Sequence, residues 1–164
     1  MHRFLCDAML GSLARWLRFF GYDTSYMDPS TDDRSLAERA RTEDRWLLTR
    51  DRELAALGPR TMFLRTETVE DQLVEVFVRL GVRPSVGLER ARCSECNGEL
   101  DPVDAGAVAN EVPPHVRRTA SRFSRCRGCG RVYWPGSHGH RILDTMKRVA
   151  ARVPDGSGAG HDVE

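Results

Sequence analysis

Two cysteine pairs constrain this chain more than any other feature: Cys93-Ser-Glu-Cys96 and Cys126-Arg-Gly-Cys129. Two residues separate the sulfurs of each pair, and Gly98 and Gly130 follow closely. That spacing lets a tight turn aim two thiolates and nearby backbone N–H groups at one metal. Two such knuckles supply four soft ligands, which suit tetrahedral zinc with no open coordination position. A closed site of this kind is structural. It says how the C-terminal half holds together, so the chemistry has to be sought in the N-terminal half.

The chain has 164 residues, room for one domain or one domain plus a small module. No apolar run approaches the roughly 20 residues that span a bilayer, so no membrane association is expected. The opening Met-His-Arg-Phe-Leu-Cys-Asp lacks a secretory apolar core. A cytoplasmic protein is expected, in keeping with reduced, metal-binding thiols. Cys6 has no evident partner and reads as a small buried hydrophobe on a strand. Charge is uneven. Residues 1–90 carry 14 basic and 15 acidic side chains, whereas 91–153 carry 11 basic and 6 acidic, so the basic excess sits in the cysteine module.

Apolar and turn patterning divides the first half into four strand-helix pairs. Strands are expected at 2–6, 23–27, 45–49 and 61–65. Helices are expected at 9–20 (with Met9, Leu10, Leu13, Leu17 and Phe20 inward), from Asp33 as cap, at 52–57 and at 68–80. Gly21 and Gly81 stand where helices end. Such alternation implies a mostly parallel sheet flanked by helices. The expected division is an α/β domain at 1–81 and a linker at 82–91. A zinc ribbon with a C-terminal helix follows at 92–152, then a disordered Gly/Ser/Asp-rich tail at 153–164. The polar insertion around Pro113-Pro114 has no assigned structure.

In an open parallel sheet, ligands bind beyond the carboxyl ends of the strands. Asp7 directly follows the first strand, Asp51 follows the third, and Asp33 begins the helix after the second. Carboxylates gathered there repel one another unless a hard divalent cation neutralises them, and magnesium or manganese prefers oxygen ligands. Such an ion polarises a phosphodiester and activates water, which points to phosphodiester hydrolysis. Aspartate is also a preferred helix cap, so each of the three has an equally good structural use. Glu67, Glu70 and Asp71 stay outside the expected cluster. Asp71 suits the start of the fourth helix better.

The segments Phe4-Leu5-Cys6-Asp7-Ala8-Met9-Leu10-Gly11, Leu13-Ala14-Arg15-Trp16-Leu17-Arg18 and Gly21-Tyr22-Asp23, then Leu48-Thr49-Arg50-Asp51 and both knuckles, run in one order over residues 1–148. In that combination the chain resembles the Mut-seven C-terminal RNase domain family. The resemblance implies a PIN-like nuclease fold fused to a zinc ribbon. It also implies metal-dependent RNA cleavage, with Asp7, Asp33 and Asp51 in the acidic roles. The family tends to show Trp-x-Gly-Ser-His and then an aromatic. Here Trp134-Pro135-Gly136-Ser137-His138 is followed by Gly139.

Arg15 and Arg18 lie three apart on the first helix and are candidates to clamp phosphates beside Asp7. Arg122 and Arg125, interleaved with Phe123, Tyr133 and Trp134, suit single-stranded RNA by phosphate contact and base stacking. The same aromatics are equally suited to form the ribbon's small core. His138 and His140 suit surface or hydrogen-bonding roles better than a further metal site. The leading expectation is a magnesium- or manganese-dependent ribonuclease. The alternative is a non-catalytic nucleic-acid-binding or ribosome-associated protein whose acids only cap helices. A receiver-like phosphoacceptor fits poorly, because Ala8 follows Asp7 and the lone lysine, Lys147, lies beyond the ribbon.

Overall fold

The computed structural model describes residues 1–154; the expected tail lies outside the described residues from position 155 onward. Strands β1 (Phe4–Cys6), β2 (Thr24–Tyr26), β3 (Trp46–Thr49) and β4 (Thr61–Phe63) form a parallel sheet in the order β2-β1-β3-β4. Phe4 pairs with Thr24 on one side and Trp46 on the other. Side chains alternate between faces along a strand. Phe4, Cys6 and Leu48 therefore enter one core, and Leu5 and Leu47 the other. Helices α1 (Gly11–Phe19) and α4 (Val69–Leu80) cover the first face. Helices α2 (Asp33–Thr42) and α3 (Arg52–Ala55) cover the second through Leu36, Ala40 and Leu54. Cys6 is fully buried, and burial pushes its thiol pKa well up, which keeps it a neutral hydrophobe.

Local chemistry sets the helix ends. Thr68 caps α4 by accepting from the Asp71 N–H, and Gly81 closes it with φ +62°. Gly21, at φ +87°, carries a second constraint. A Cβ there would lie 2.8 Å from the Arg90 carbonyl oxygen, so the approach of the 82–91 segment depends on glycine. Two expectations are corrected. The chain leaves β1 through a 3-10 turn, Ala8–Leu10, that rotates Met9 outward to 74% exposure. The cap of α2 is Asp32, which accepts from the Ser35 N–H at 3.0 Å, while Asp33 occupies the first turn.

The cysteine module contains an antiparallel sheet of β5 (Leu100–Val103), β6 (Phe123–Cys126) and β7 (Val132–Tyr133), in that order. The unassigned insertion forms a 3-10 turn, Ala105–Val108, and helix α5 (Pro114–Thr119), which opens on a proline. Val108, Val112 and Val116 pack on Phe123 as a separate small core.

Helix α6 (Ser137–Arg152) does not belong to the ribbon. Ile142, Met146, Val149 and Val153 recur at helical spacing and join the main core with Leu73 and Phe77 of α4. Arg148 and Arg152 pair with Glu70 and Asp71 of α4. α4 and α6 thus bury their apolar stripes on each other, so the helix expected with the ribbon packs on the α/β core. Val153, assigned to the tail, is 5% exposed. The 82–91 segment is equally no free tether, since Leu88 packs on the main core.

The first knuckle is bolted to the sheet edge. Arg18 is 7% exposed and donates from Nε to the Thr24 carbonyl at 2.9 Å and from Nη1 to the Ser94 carbonyl at 2.7 Å. Asn97 accepts the Thr24 N–H at 2.9 Å and donates to Asp23 at 2.7 Å. Asp23 also binds Arg45 at 2.8 Å and Arg3 at 3.0 Å. Burial raises the pKa of the Asp23 carboxyl, but the hydrogen bonds from Arg45, Asn97 and Arg3 outweigh it and hold the group well below the usual carboxylate range. Its folded pKa thus lies below the unfolded value of about 3.9. The stabilisation is complete above that pH and is lost as pH falls toward the folded pKa. Replacement Asp23→Asn is expected to cost on the order of 2 kcal/mol at pH 7. In urea melts the gap from wild type should narrow steadily below about pH 4; a gap as wide at pH 2.5 as at pH 7 would contradict this assignment.

Candidate functional site

The strand order places the topological switch point at the carboxyl ends of β1 and β3, because the chain leaves β1 toward β2 and leaves β3 toward β4 in the opposite direction. Asp7 and Asp51 stand at that point. The Thr49 hydroxyl joins them: it donates to Asp7 Oδ2 in a short hydrogen bond and accepts the Asp51 N–H at 2.9 Å. Asp7 is buried, and its Oδ1 accepts the Met9 N–H at 2.9 Å. Asp51 Oδ1 caps α3 by accepting from Glu53 at 2.7 Å and Leu54 at 3.2 Å, while its Oδ2 has no donor among the described residues. Asp33 is exposed on α2 and engages no partner among the described residues.

The structure therefore links Asp7 to Asp51 and leaves Asp33 outside that link. Among the described residues, the one group of three or more metal-ligating side chains with ligand atoms within 4.8 Å of one another is the cysteine set. Sequence reasoning gave Thr49 and Arg50 no role. Arg50 stands between Thr49 and Asp51 in the chain, and its Nε is buried without an acceptor among the described residues. Its Nη2 stands 3.7 Å from Glu67. The Thr-Arg-Asp run at the end of a buried strand was the available signal.

The candidate RNA-contacting arginines sort into distinct states. Arg18 is corrected outright: its guanidinium is spent on backbone carbonyls of β2 and the knuckle and does not face a ligand. Its three-residue spacing from Arg15 suggested one shared open face, but the knuckle covers that side of α1. Arg15 stays exposed, 3.8 Å from Glu95. Arg125 is held by both carboxylate oxygens of Glu111, at 2.6 and 2.9 Å. Arg122 is exposed and carries no ion pair among the described residues.

Cys93, Cys96, Cys126 and Cys129 are positioned to bind a metal and fit structural zinc. Cys93 and Cys129 sulfurs lie 3.6 Å apart, and Cys96 and Cys126 sulfurs 3.3 Å. A tetrahedron of thiolates at about 2.3 Å from zinc needs sulfurs about 3.8 Å apart. Small residues make room for them. A Cβ on Gly98 would fall 2.6 Å from the Cys126 sulfur, and one on Gly128 would fall 3.1 Å from that of Cys96. The Tyr133 hydroxyl sits 3.0 Å from the Cys93 sulfur and 3.2 Å from Ser94 Oγ. Burial raises the Cys93 pKa, but donation from Tyr133 and the backbone brings it down to about 6, favouring the thiolate a metal requires. Such outer hydrogen bonds set metal affinity. Tyr133→Phe is expected to weaken zinc binding about tenfold in competition with a chromophoric chelator; an unchanged affinity would show that the hydroxyl does not tune the site.

No helix of the described residues is long and apolar enough to cross a membrane. A search of curated proteins and a search of solved structures each gave no match. A family model described as Mut7-C RNAse domain matches residues 2–146, spanning the parallel sheet, the Thr49-bridged acids and both cysteine knuckles. The chain belongs to the Mut7-C RNase domain family.

Proposed function

We propose that the protein is a ribonuclease that hydrolyses RNA phosphodiester bonds at the Asp7–Asp51 rim, with magnesium or manganese as its ion. The observation that carries this reading is the Thr49 hydroxyl linking the Asp7 carboxylate to the Asp51 backbone amide at the switch point of the sheet, with one Asp51 carboxylate oxygen left without a donor among the described residues. Carboxylate oxygens are the donor type that hard divalent cations select. In this reading Asp7 and Asp51 would hold the ion, with Asp33, which lies outside their link and has no competing partner among the described residues, as the third carboxylate that would join them. When bound, the ion supplies charge neutralisation at the phosphate and a water of lowered pKa.

The chain's own residues do the rest. Thr49 fixes the Asp7 carboxylate by donating to Oδ2, while the Met9 amide fixes Oδ1. Asp51 is oriented through its own amide and the start of α3. Arg15 and Arg122 are the exposed cations offered to the RNA backbone, and Arg125 joins them on exchanging Glu111 for phosphate. The strand is single and the compartment is the cytoplasm, where the thiols stay reduced.

One observation favours a second reading, a non-catalytic RNA-binding protein: Asp7 and Asp51 each already cap a helix. Asparagine caps a helix as well as aspartate does but is a poor ligand for a hard cation. Asp7→Asn and Asp51→Asn should therefore fold normally and lose more than about 100-fold in manganese-dependent cleavage of labelled single-stranded RNA. Full activity in both variants, or an inert wild type with either ion, would leave the second reading standing.

A further inference from the structure

A groove of about 740 Å³ runs between the ribbon and the start of α6, within the range of about 300–1,000 Å³ typical of ligand clefts. Its wall includes the whole Trp134–Gly139 segment, which neither the zinc centre nor the acidic rim uses. The three aromatics of the ribbon are divided among different tasks. Phe123 is buried in the small core, and Tyr133 is spent on Cys93. Trp134 remains, 37% exposed, with no ring contact and no hydrogen bond among the described residues. A Cβ on Gly136 would lie 3.6 Å from its indole Nε1, so the glycine leaves that edge uncovered. A Cβ on Gly139 would meet only Leu88, at 4.0 Å, so the glycine leaves that part of the groove open.

Charge divides in the same way. Arg125 pairs with Glu111, and Arg127 pairs with Glu99 and Asp101. Arg122 and His138 line the groove and engage no acid among the described residues. Arg92 lines it as well, and the sole acid in the wall is Glu89. The first amides of α6 open beside them without a side-chain cap. An anionic ligand with a flat apolar face fits this lining. A base supplies the face and its phosphate supplies the charge. An indole stacks on any base, and unpaired bases alone expose their faces.

We propose that this groove is a nucleotide subsite. One unpaired base of an RNA strand stacks on Trp134, and the adjoining phosphate is held by Arg122 and His138. The proposal rests on RNA being the ligand of the function proposed above, but not on the acidic rim being catalytic. The subsite holds the strand outside the rim and reads the presence of a base, not its identity.

The test uses the full zinc-loaded chain carrying Asp51→Asn, without added divalent ion. The probes are a fluorescein-labelled decauridylate and the same backbone with abasic positions, followed by anisotropy. Trp134→Ala should weaken decauridylate binding about tenfold and leave the abasic strand unaffected. Trp134→Phe should stay near the parent value. Arg122→Ala should weaken both strands alike and flatten the salt dependence by about one counterion. Zinc content and melting temperature report folding of each variant. Were Trp134→Ala not to fold, Trp134→Phe and the exposed Arg122→Ala carry the test. Decauridylate binding indifferent to Trp134→Ala, an equal loss on both strands, binding indifferent to Arg122→Ala, or displacement of RNA by an acidic peptide would each overturn the subsite. If the Trp134 effect holds while Asp7→Asn still cleaves, the rim assignment fails and the subsite stands. If Asp7→Asn abolishes cleavage while Trp134→Ala binds normally, the reverse follows.

Discussion

The guanidinium of Arg18 ties the two halves of this molecule together. It rises from α1 and satisfies backbone carbonyls at Thr24 on the sheet and at Ser94 and Glu95 on the first knuckle. A buried cation is tolerated only when its donors are met, and these carbonyls meet them. Asn97 adds a second bridge between the Thr24 amide and Asp23. Arg45, itself nearly buried, is anchored by the same Asp23. The cysteine cluster fixes the loop that presents Ser94, Glu95 and Asn97. A metal bound there would hold the surface on which the edge of the parallel sheet rests.

That dependence reaches the acidic rim by a short path. Thr24 pairs beside Phe4 on β1, and β1 delivers Asp7 two residues after Leu5. On the other side of β1, β3 delivers Thr49 and Asp51. Thr49 links the two acids only because β1 and β3 are neighbours in register, Cys6 beside Leu48. Helix α6 closes the same core from beyond the ribbon, so the chain passes through the cysteine module and returns to the sheet. A module inserted in this manner is part of the fold and not an appendage.

The sequence made the strand-helix alternation legible because each strand is a short apolar run and each helix carries a periodic stripe. Gly21 and Gly81 marked helix ends because positive φ favours glycine there. The cysteine spacing marked the metal site for the same local reason. What stayed hidden depends on contacts between remote residues. Nothing near Arg18 says that a loop some 76 residues away will cover it. The spacing that put Arg18 on one face with Arg15 could not distinguish solvent from a docked knuckle. Asp32 and Asp33 are adjacent acids, and which one caps α2 depends on backbone angles set by the preceding turn. The stripe on α6 announced a buried face without saying which core would bury it. Thr49 was legible as a strand residue, but its bond to Asp7 follows from strand order.

The account's central claim is that the cysteine centre supports the parallel sheet through the first knuckle. Amide exchange at Thr24 tests it most directly, because that N–H donates to Asn97 and not to a neighbouring strand. With zinc extracted under reducing conditions, Thr24 and the Arg92 amide, which donates to the Arg18 carbonyl, should lose protection together with the ribbon amides. Thr24 remaining as protected as in the zinc-loaded protein while the ribbon exchanges freely would contradict the claim and make the two halves independent.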